Sequence, residues 1–372
     1  MLRAQKKKMT RFPFKPDYAV PPGQTLRETI ETLGVGQREL ADRAGLSTKH
    51  VNQIIKGIAP ITHETAIKLE RVTGVPARMW NNLEANYREQ LARLAENARN
   101  ETDLDWLRSI PTKELIRRRV IADTKEKVSL LKAVLSFFGV ASVEAWKKGW
   151  SHHQFAFRKS PTFQQRDGAM ATWLRLGEIE AQKVKCQPFD RVAFRQALDE
   201  IRKWTVRGPE FFLPRMIEVC ATAGVAVVLV PEIKGAPVSG AAKWLSPTKA
   251  MICLNLRGKF NDKFWFTFFH EAGHILNDSK KAIYIDKDYK DDPREVNANR
   301  FAANLLIPEK YHDELKNLST AQSVELFAKK VGIAPGIVVG RLQHERIIPY
   351  SHLNKLKARL DWTTTSPLPV AK

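Results

Sequence analysis

The segment Phe264-Trp-Phe-Thr-Phe-Phe-His-Glu-Ala-Gly-His-Ile-Leu276 narrows the fold of this chain more than any other. It sets the pattern H-E-x-x-H in an apolar run. On an α-helix, residues four apart lie about 40° apart around the axis, so His270 and His274 face the same way. Two imidazoles one turn apart can bind one Zn²⁺ at about 2.0–2.1 Å each. Glu271 then lies beside the metal, where its carboxylate can accept a proton from an attacking water. The apolar setting predicts a core helix whose ligands face a cleft. The alternative is two partly buried histidines satisfied by hydrogen bonds alone.

A catalytic zinc needs a third protein ligand. Asp278, Asp286, Asp288, Asp291, Asp292 and Glu295 all qualify by chemistry. Glu295 is best placed, because residues 294–307 read as one amphipathic helix. Ala298 and Ala302 follow it at one and two turns, and small residues there allow a close approach to the H-E-x-x-H helix. Asn299, four residues after Glu295, is expected to hold its carboxylate from behind. The plainer reading of Glu295 is an exposed carboxylate favoured by a helix start. Upstream, the runs 225–230 and 249–255 read as buried strands, so the second half of the chain is α+β.

A second pattern lies at residues 37–57, QRELADRAGLSTKHVNQIIKG. Leu40, Ala41 and Ala44 form a small apolar face, Gly45 a tight turn, Leu46 a plug, and Ser47 a cap for the next helix. Val51, Ile54 and Ile55 then face inward, leaving Thr48, Lys49, Asn52 and Lys56 outward. Short hydroxyl and amide side chains read base edges, and lysines hold phosphates. Gln37, opening the first helix, is placed to contact a phosphate, with Ser47 at the same surface. A formal net charge of +21 fits a polyanionic partner. The competing reading is an ordinary helical hairpin with a solvated polar face.

Around these two patterns, the chain reads as a basic arm (1–20, with Lys6, Lys7 and Lys8), a helix-turn-helix domain (21–99), a helical connecting region (100–209), an α+β domain (210–362) and a flexible tail (363–372). Leu26, Ile30 and Leu33 make one face of a helix that ends at Gly34. Trp80, Leu83, Tyr87, Leu91 and Leu94 make a longer apolar stripe, which predicts a homodimer on a two-fold operator. The connecting region carries Trp106, Trp146, Trp150 and Trp173 but no chemical motif. Cys186, Cys220 and Cys253 are far apart, odd in number and form no C-x-x-C pair, so they predict buried or semi-buried side chains rather than a disulfide framework or a zinc ribbon. The absence of a long apolar run or a leader pattern predicts a cytoplasmic protein with no membrane partner. Leu326–Ala334 repeats the rhythm of the helix-turn-helix, but its following helix has no polar readers, so a packed corner is expected.

Each pattern belongs to a wider resemblance. Pro22–Glu28, the helix-turn-helix, Gly57–Ala66 and Met79–Leu83 resemble the HigA-type antitoxins of the Xre-like helix-turn-helix class over about residues 20–95. That resemblance implies dimerisation on palindromic operators, repression of the chain's own operon and a cognate toxin as partner. Val238–Leu245, Phe264–His274 and Glu295–Pro308 resemble the ImmA/IrrE family of zinc metallopeptidases over about residues 210–350, and Gly340–His344 fits the same family. It implies His270 and His274 as ligands, Glu271 as general base and Glu295 as third ligand. Where many relatives place a histidine after the H-E-x-x-H helix, this chain has Asp278.

The expected fold is therefore multidomain: an all-α Xre-like helix-turn-helix domain, a helical middle region and an α+β zincin-like metallopeptidase domain. The expected function is a DNA-binding transcriptional regulator or antitoxin with a zinc-dependent endopeptidase that cleaves a regulatory protein, be it a repressor, an antitoxin or itself. The alternative is a non-catalytic HigA-like antitoxin and autorepressor with a structural or vestigial zinc site. Retention of Glu271, which is not expected to be a ligand, favours the first.

Overall fold

The computed structural model describes residues 18–153, 163–256, 259–278, 283–285 and 292–360. The tail, nearly all of the basic arm, and Asp286, Asp288 and Asp291 lie outside the described residues. The chain divides into two compact units, residues 1–104 and 105–372.

Capping and turn residues set the boundaries of the first unit. α1 (Pro22–Thr32) begins on a proline, whose missing N–H would be unpaired there anyway. α2 (Gln37–Ala44) stops at Gly45, whose φ of 62° is the left-handed conformation that ends a helix at least strain. α3 (Thr48–Ile55) starts under the Ser47 hydroxyl, which accepts from His50 N–H at 3.1 Å. α4 (His63–Thr73) and α5 (Ala77–Thr102) complete the unit. Leu26, Leu40, Val51, Ile54, Leu69 and Trp80 form its core. Gly23 lets α1 settle on α3, since a Cβ there would lie 2.0 Å from the Ile54 carbonyl oxygen.

One expectation for this unit changes. Leu33 is the C-cap of α1 and 48% exposed, so it leaves the face formed by Leu26 and Ile30. On α5, Trp80 is a packing residue of the unit's core, while Leu91 is exposed.

The second unit opens with α6 (Thr112–Arg117), α7 (Lys127–Phe138) and α8 (Val143–His153). The stretch Lys127–Gly149 is long and apolar enough by composition to cross a membrane. Gly139, with φ of 70°, breaks it into α7 and α8, and Leu131, Val134, Leu135 and Phe137 are buried. Next come α9 (Phe163–Lys183), α10 (Arg191–Lys203) and α11 (Pro209–Thr222). A mixed sheet follows, in the order β1 (Val225–Leu229), β3 (Lys249–Leu254), β2 (Gly240–Ser246), β4 (Ile283–Ile285). β1 runs parallel to β3, and β2 runs antiparallel to both β3 and β4.

Both faces of this sheet are covered, which is why β1 reads as an unbroken apolar run. Val225, Val227 and Leu229 share one core with Phe212 and Met216 of α11. On the other face Gly177 of α9 lies against β3, where a Cβ would meet Cys253 Sγ at 2.6 Å. Trp173 Nε1 of α9 donates to the Val230 carbonyl at 3.0 Å. Arg118, just after α6, donates to the carbonyls of Pro231 and Glu232 at 3.2 and 3.1 Å. α9 and Arg118, which fall within the expected connecting region (100–209), thus pack against the sheet and the residues just after β1. α12 (Asn261–Asn277) packs on the first face and is met by α13 (Pro293–Leu306). α14 (His312–Leu315), α15 (Ala321–Val331) and α16 (Pro335–His344) close the unit. α15 and α16 form a packed corner, with Val338, Val339 and Leu342 of α16 buried. The architecture is multidomain, an all-α helix-turn-helix unit followed by an α+β unit.

Candidate metal centre and nucleic-acid interface

α12 is buried along almost its whole length because its aromatic residues face the core. Trp265 lies 4.5 Å from Phe212 between ring centroids, and Phe268 and Phe269 are 0% exposed. This orientation turns His270 and His274 towards α13. The two helices approach closely at Gly273, where a Cβ would lie 3.3 Å from Ala298 Cα, and Ala302 is fully buried one turn further on.

That approach brings three ligand atoms together. His270 Nε2 lies 3.0 Å from His274 Nε2 and 3.2 Å from Glu295 Oε2, and His274 Nε2 lies 3.5 Å from Glu295 Oε1. Two atoms each about 2.0–2.1 Å from a common centre at the tetrahedral angle lie about 3.3–3.4 Å apart, so the spacing fits three corners of a zinc site. The remote ring nitrogens are also held. His274 Nδ1 lies 2.7 Å from Asp278 Oδ2, and His270 Nδ1 lies 2.9 Å from Asn299 Oδ1. A carboxylate only accepts, so the Asp278 contact places a proton on Nδ1 of His274 and directs Nε2 at the centre.

Asn299 is where the sequence reading needs correction. It was expected to hold Glu295 on its own helix, but the close approach of α12 presents it to the imidazole of His270 instead. Asp278, offered by the sequence as a candidate third ligand, is instead the partner of the remote nitrogen of His274, at an i, i+4 spacing. Asp292 caps α13, accepting from Arg294 N–H at 2.9 Å. Of the acidic candidates among the described residues, Glu295 alone joins the two histidines in a ligand cluster.

The electrostatics match a cation site. Burial pushes the Glu295 carboxyl up, but hydrogen bonds and charge from His270 and His274 outweigh it and hold it at about 2. Burial lowers His274, and the carboxylates of Glu295 and Asp278 override that and raise it above the ordinary range. Glu271 is 0% exposed and abuts the start of β2. Gly240 makes the room, since a Cβ there would lie 2.5 Å from Thr267 Cγ2 and 2.7 Å from Glu271 Oε1. This glycine left no signal in the sequence, because its role depends on how the sheet meets α12. Burial pushes the Cys220 and Cys253 thiols up, as expected of inert core cysteines.

In the first unit, Thr48, Lys49 and Lys56 stand exposed on or beside α3. Asn52 and Gln37 are half-buried and meet across the two helices, with Asn52 Nδ2 donating to Gln37 Oε1 at 3.3 Å. A fixed partner reduces the rotamer freedom Asn52 would lose on contacting a base. Ser47 is exposed, and its oxygen is engaged in the cap.

Comparison with known proteins places both units. A helix-turn-helix profile matches residues 26–80, and the profile of the IrrE N-terminal-like domain matches residues 227–343. The virulence-associated protein I of Dichelobacter nodosus is 32% identical over 75 residues, 20% of this chain and 69% of that protein. The uncharacterised HTH-type transcriptional regulator YddM of Escherichia coli is 35% identical over 63 residues, 17% of this chain and 67% of that protein. Two solved structures overlap a short part of the chain. One, assigned as an antidote protein of a plasmid maintenance system of Nostoc punctiforme, is 24% identical, covers 23% of this chain and 92% of its own, and has a TM-score of 0.22. The other is a Pseudomonas aeruginosa protein in complex with its operator DNA, 29% identical, covering 21% of this chain and 85% of its own, with a TM-score of 0.20. By residues 26–80 the chain belongs to the helix-turn-helix family of transcriptional regulators, and over residues 227–343 it carries an IrrE-like peptidase domain.

Proposed function

We propose that this chain is a DNA-binding regulator whose second unit is a zinc-dependent endopeptidase, acting on a regulatory protein in trans or on itself. The observation that carries the reading is the buried cluster of His270, His274 and Glu295, with both remote ring nitrogens held by Asn299 and Asp278. A polar cluster that deep is costly to bury unless something pairs with it, and a divalent cation does so.

His270, His274 and Glu295 would hold the zinc, and Asp278 and Asn299 would fix the two imidazoles. When bound, the metal supplies Lewis-acid polarisation of a peptide carbonyl and lowers the pKa of a water beside it. Glu271 accepts the proton of the attacking water on its carboxylate and returns it to the departing amine. Gly240 and Thr267 wall that carboxylate off from bulk solvent. In the first unit Thr48 and Asn52 read base edges, while Lys49, Lys56, Gln37 and Ser47 take phosphates. We further propose an antitoxin-like regulator that binds its operator as a homodimer, with a cognate toxin as a further partner.

The test incubates the zinc-loaded protein and Glu271→Gln with the proteins encoded beside it and reads their intact masses. Cleavage by the parent and none by Glu271→Gln is the expected result. Equal behaviour of the two proteins, with operator binding retained, would leave a non-catalytic antitoxin and repressor.

A further inference from the structure

A groove of about 870 Å³ lies between α12, α13 and α16, one side chain away from the metal cluster. It lies within the range of ligand sites, about 300–1,000 Å³. Its near end is Asn299, whose side chain holds His270. From there the walls step back by helical turns, through Phe266, Thr267 and Ala303 to Asp262 and Lys263. The eight positions between His270 and Asp262 span about 12 Å at 1.5 Å per residue, the length of about three or four extended residues.

The far end is built and electrically closed. Lys357 Nζ lies 2.6 Å from Asp262 Oδ2 and donates to Gln343 Oε1 at 2.7 Å. Gln343 in turn donates to the carbonyls of Tyr350 and His352 at 3.2 and 2.8 Å. Gly340 leaves room for this pair, since a Cβ there would lie 2.7 Å from Asp262 Oδ2. Glu345 is likewise paired, with Arg341 at 2.5 Å. The walls keep two exposed cations, Lys263 on α12 and Arg300 on α13. Lys263 forms no ion pair among the described residues, and Arg300 donates to the neutral Asn297 Oδ1 at 2.8 Å. One lining carboxylate, Glu309, forms no ion pair among the described residues and accepts from Asn304 Nδ2 at 2.8 Å. Phe266, Ala303 and Ile337 give apolar contact between the charges.

The Asn299 end, which touches His270, and two unpaired cations against one unpaired carboxylate point to one occupant. We propose that the groove holds about three or four residues of the substrate polypeptide on one side of the scissile bond, and that Lys263 and Arg300 select a segment carrying Asp or Glu beside an apolar residue. This assignment rests on the peptidase reading above. Both cations are exposed, so the selection is modest, about three- to tenfold for the two together.

The experiment uses the zinc-loaded full chain and a degenerate library of short synthetic peptides, with the cleaved bonds identified by mass spectrometry. Asp and Glu should be enriched about three- to tenfold on one side of the bond. Lys263→Glu/Arg300→Glu should lose that enrichment and turn towards Lys and Arg. Lys185→Glu/Lys203→Glu, which removes the same charge from exposed positions outside the groove, should keep it. Circular dichroism and zinc content matching the parent's establish that both double variants fold. Cleavage without acidic enrichment, or enrichment that survives the groove variant or disappears equally in the control, overturns the groove and leaves the peptidase. If the parent cleaves nothing, the peptidase reading fails, and fluorescence anisotropy of labelled Glu-containing peptides decides the groove separately. Affinity lost in the groove variant but not in the control then supports it, and equal affinity in all three proteins overturns it.

Discussion

In the helix-turn-helix unit the side chains assigned to DNA stand at the surface, with Thr48, Lys49 and Lys56 exposed and Asn52 half-buried. In the peptidase unit His270, Glu271, His274 and Glu295 are 3%, 0%, 1% and 8% exposed. The first set rests on an apolar core that would fold much the same with other polar residues on its outer face. The second set sits inside the core, where each polar atom needs a partner, so it brings Asn299, Asp278, Gly273 and Gly240 with it. An exposed site depends on a scaffold behind it. A buried site depends on a chain of contacts, and changes in it should have the larger consequences.

The largest effect is expected from removing a ligand. His274→Ala should weaken zinc binding by well over the roughly 10–100-fold typical of losing a partner behind a ligand. Turnover should vanish, while a gel shift with promoter DNA should match the parent. Loss of DNA binding in this variant would break the separation between the units. Glu271→Gln comes next, with turnover down by about 10²–10⁴-fold and zinc retained. Asp278→Ala and Asn299→Ala should each reduce zinc affinity about 10–100-fold, measured by chelator competition. An unchanged affinity in either would mean that the imidazole it touches is oriented by something else.

Effects in the first unit should be smaller and of a different kind. Asn52→Ala should lose about 1–3 kcal/mol of discrimination between operator and altered sites, read from competition binding. Lys56→Ala should weaken all sequences alike and reduce the salt slope by about one. A sequence-dependent loss from Lys56→Ala would place it among the base readers and sharpen the division between reading and holding.

What the sequence revealed follows the reach of each signal. His270 and His274 are legible because a helix turns their spacing into a common direction without help from the rest of the fold. The caps and turns at Gly45 and Ser47 are local in the same way. Asn299 was assigned the wrong partner because an i, i+4 argument looks along one helix, while the packing at Gly273 and Ala298 delivers it to the neighbouring one. Gly240 and Gly177 carry no local pattern, and their roles arise from strand register and the covering of the sheet. The region 100–209 bears no motif, yet its Trp173 and Arg118 hold the backbone of residues 230–232, just after β1. On the α5 stripe periodicity marks an apolar face without saying what covers it, and Trp80 is covered by the unit's own core.

The central claim is that His270, His274 and Glu295 hold a zinc ion while Glu271 stands beside it without binding. Chelator competition on the parent, Glu271→Gln and the three ligand-to-Ala variants tests this directly. The account predicts parent-like zinc affinity for Glu271→Gln and a collapse of affinity for His270→Ala, His274→Ala and Glu295→Ala. Zinc held by Glu295→Ala as tightly as by the parent, or lost by Glu271→Gln, would contradict it.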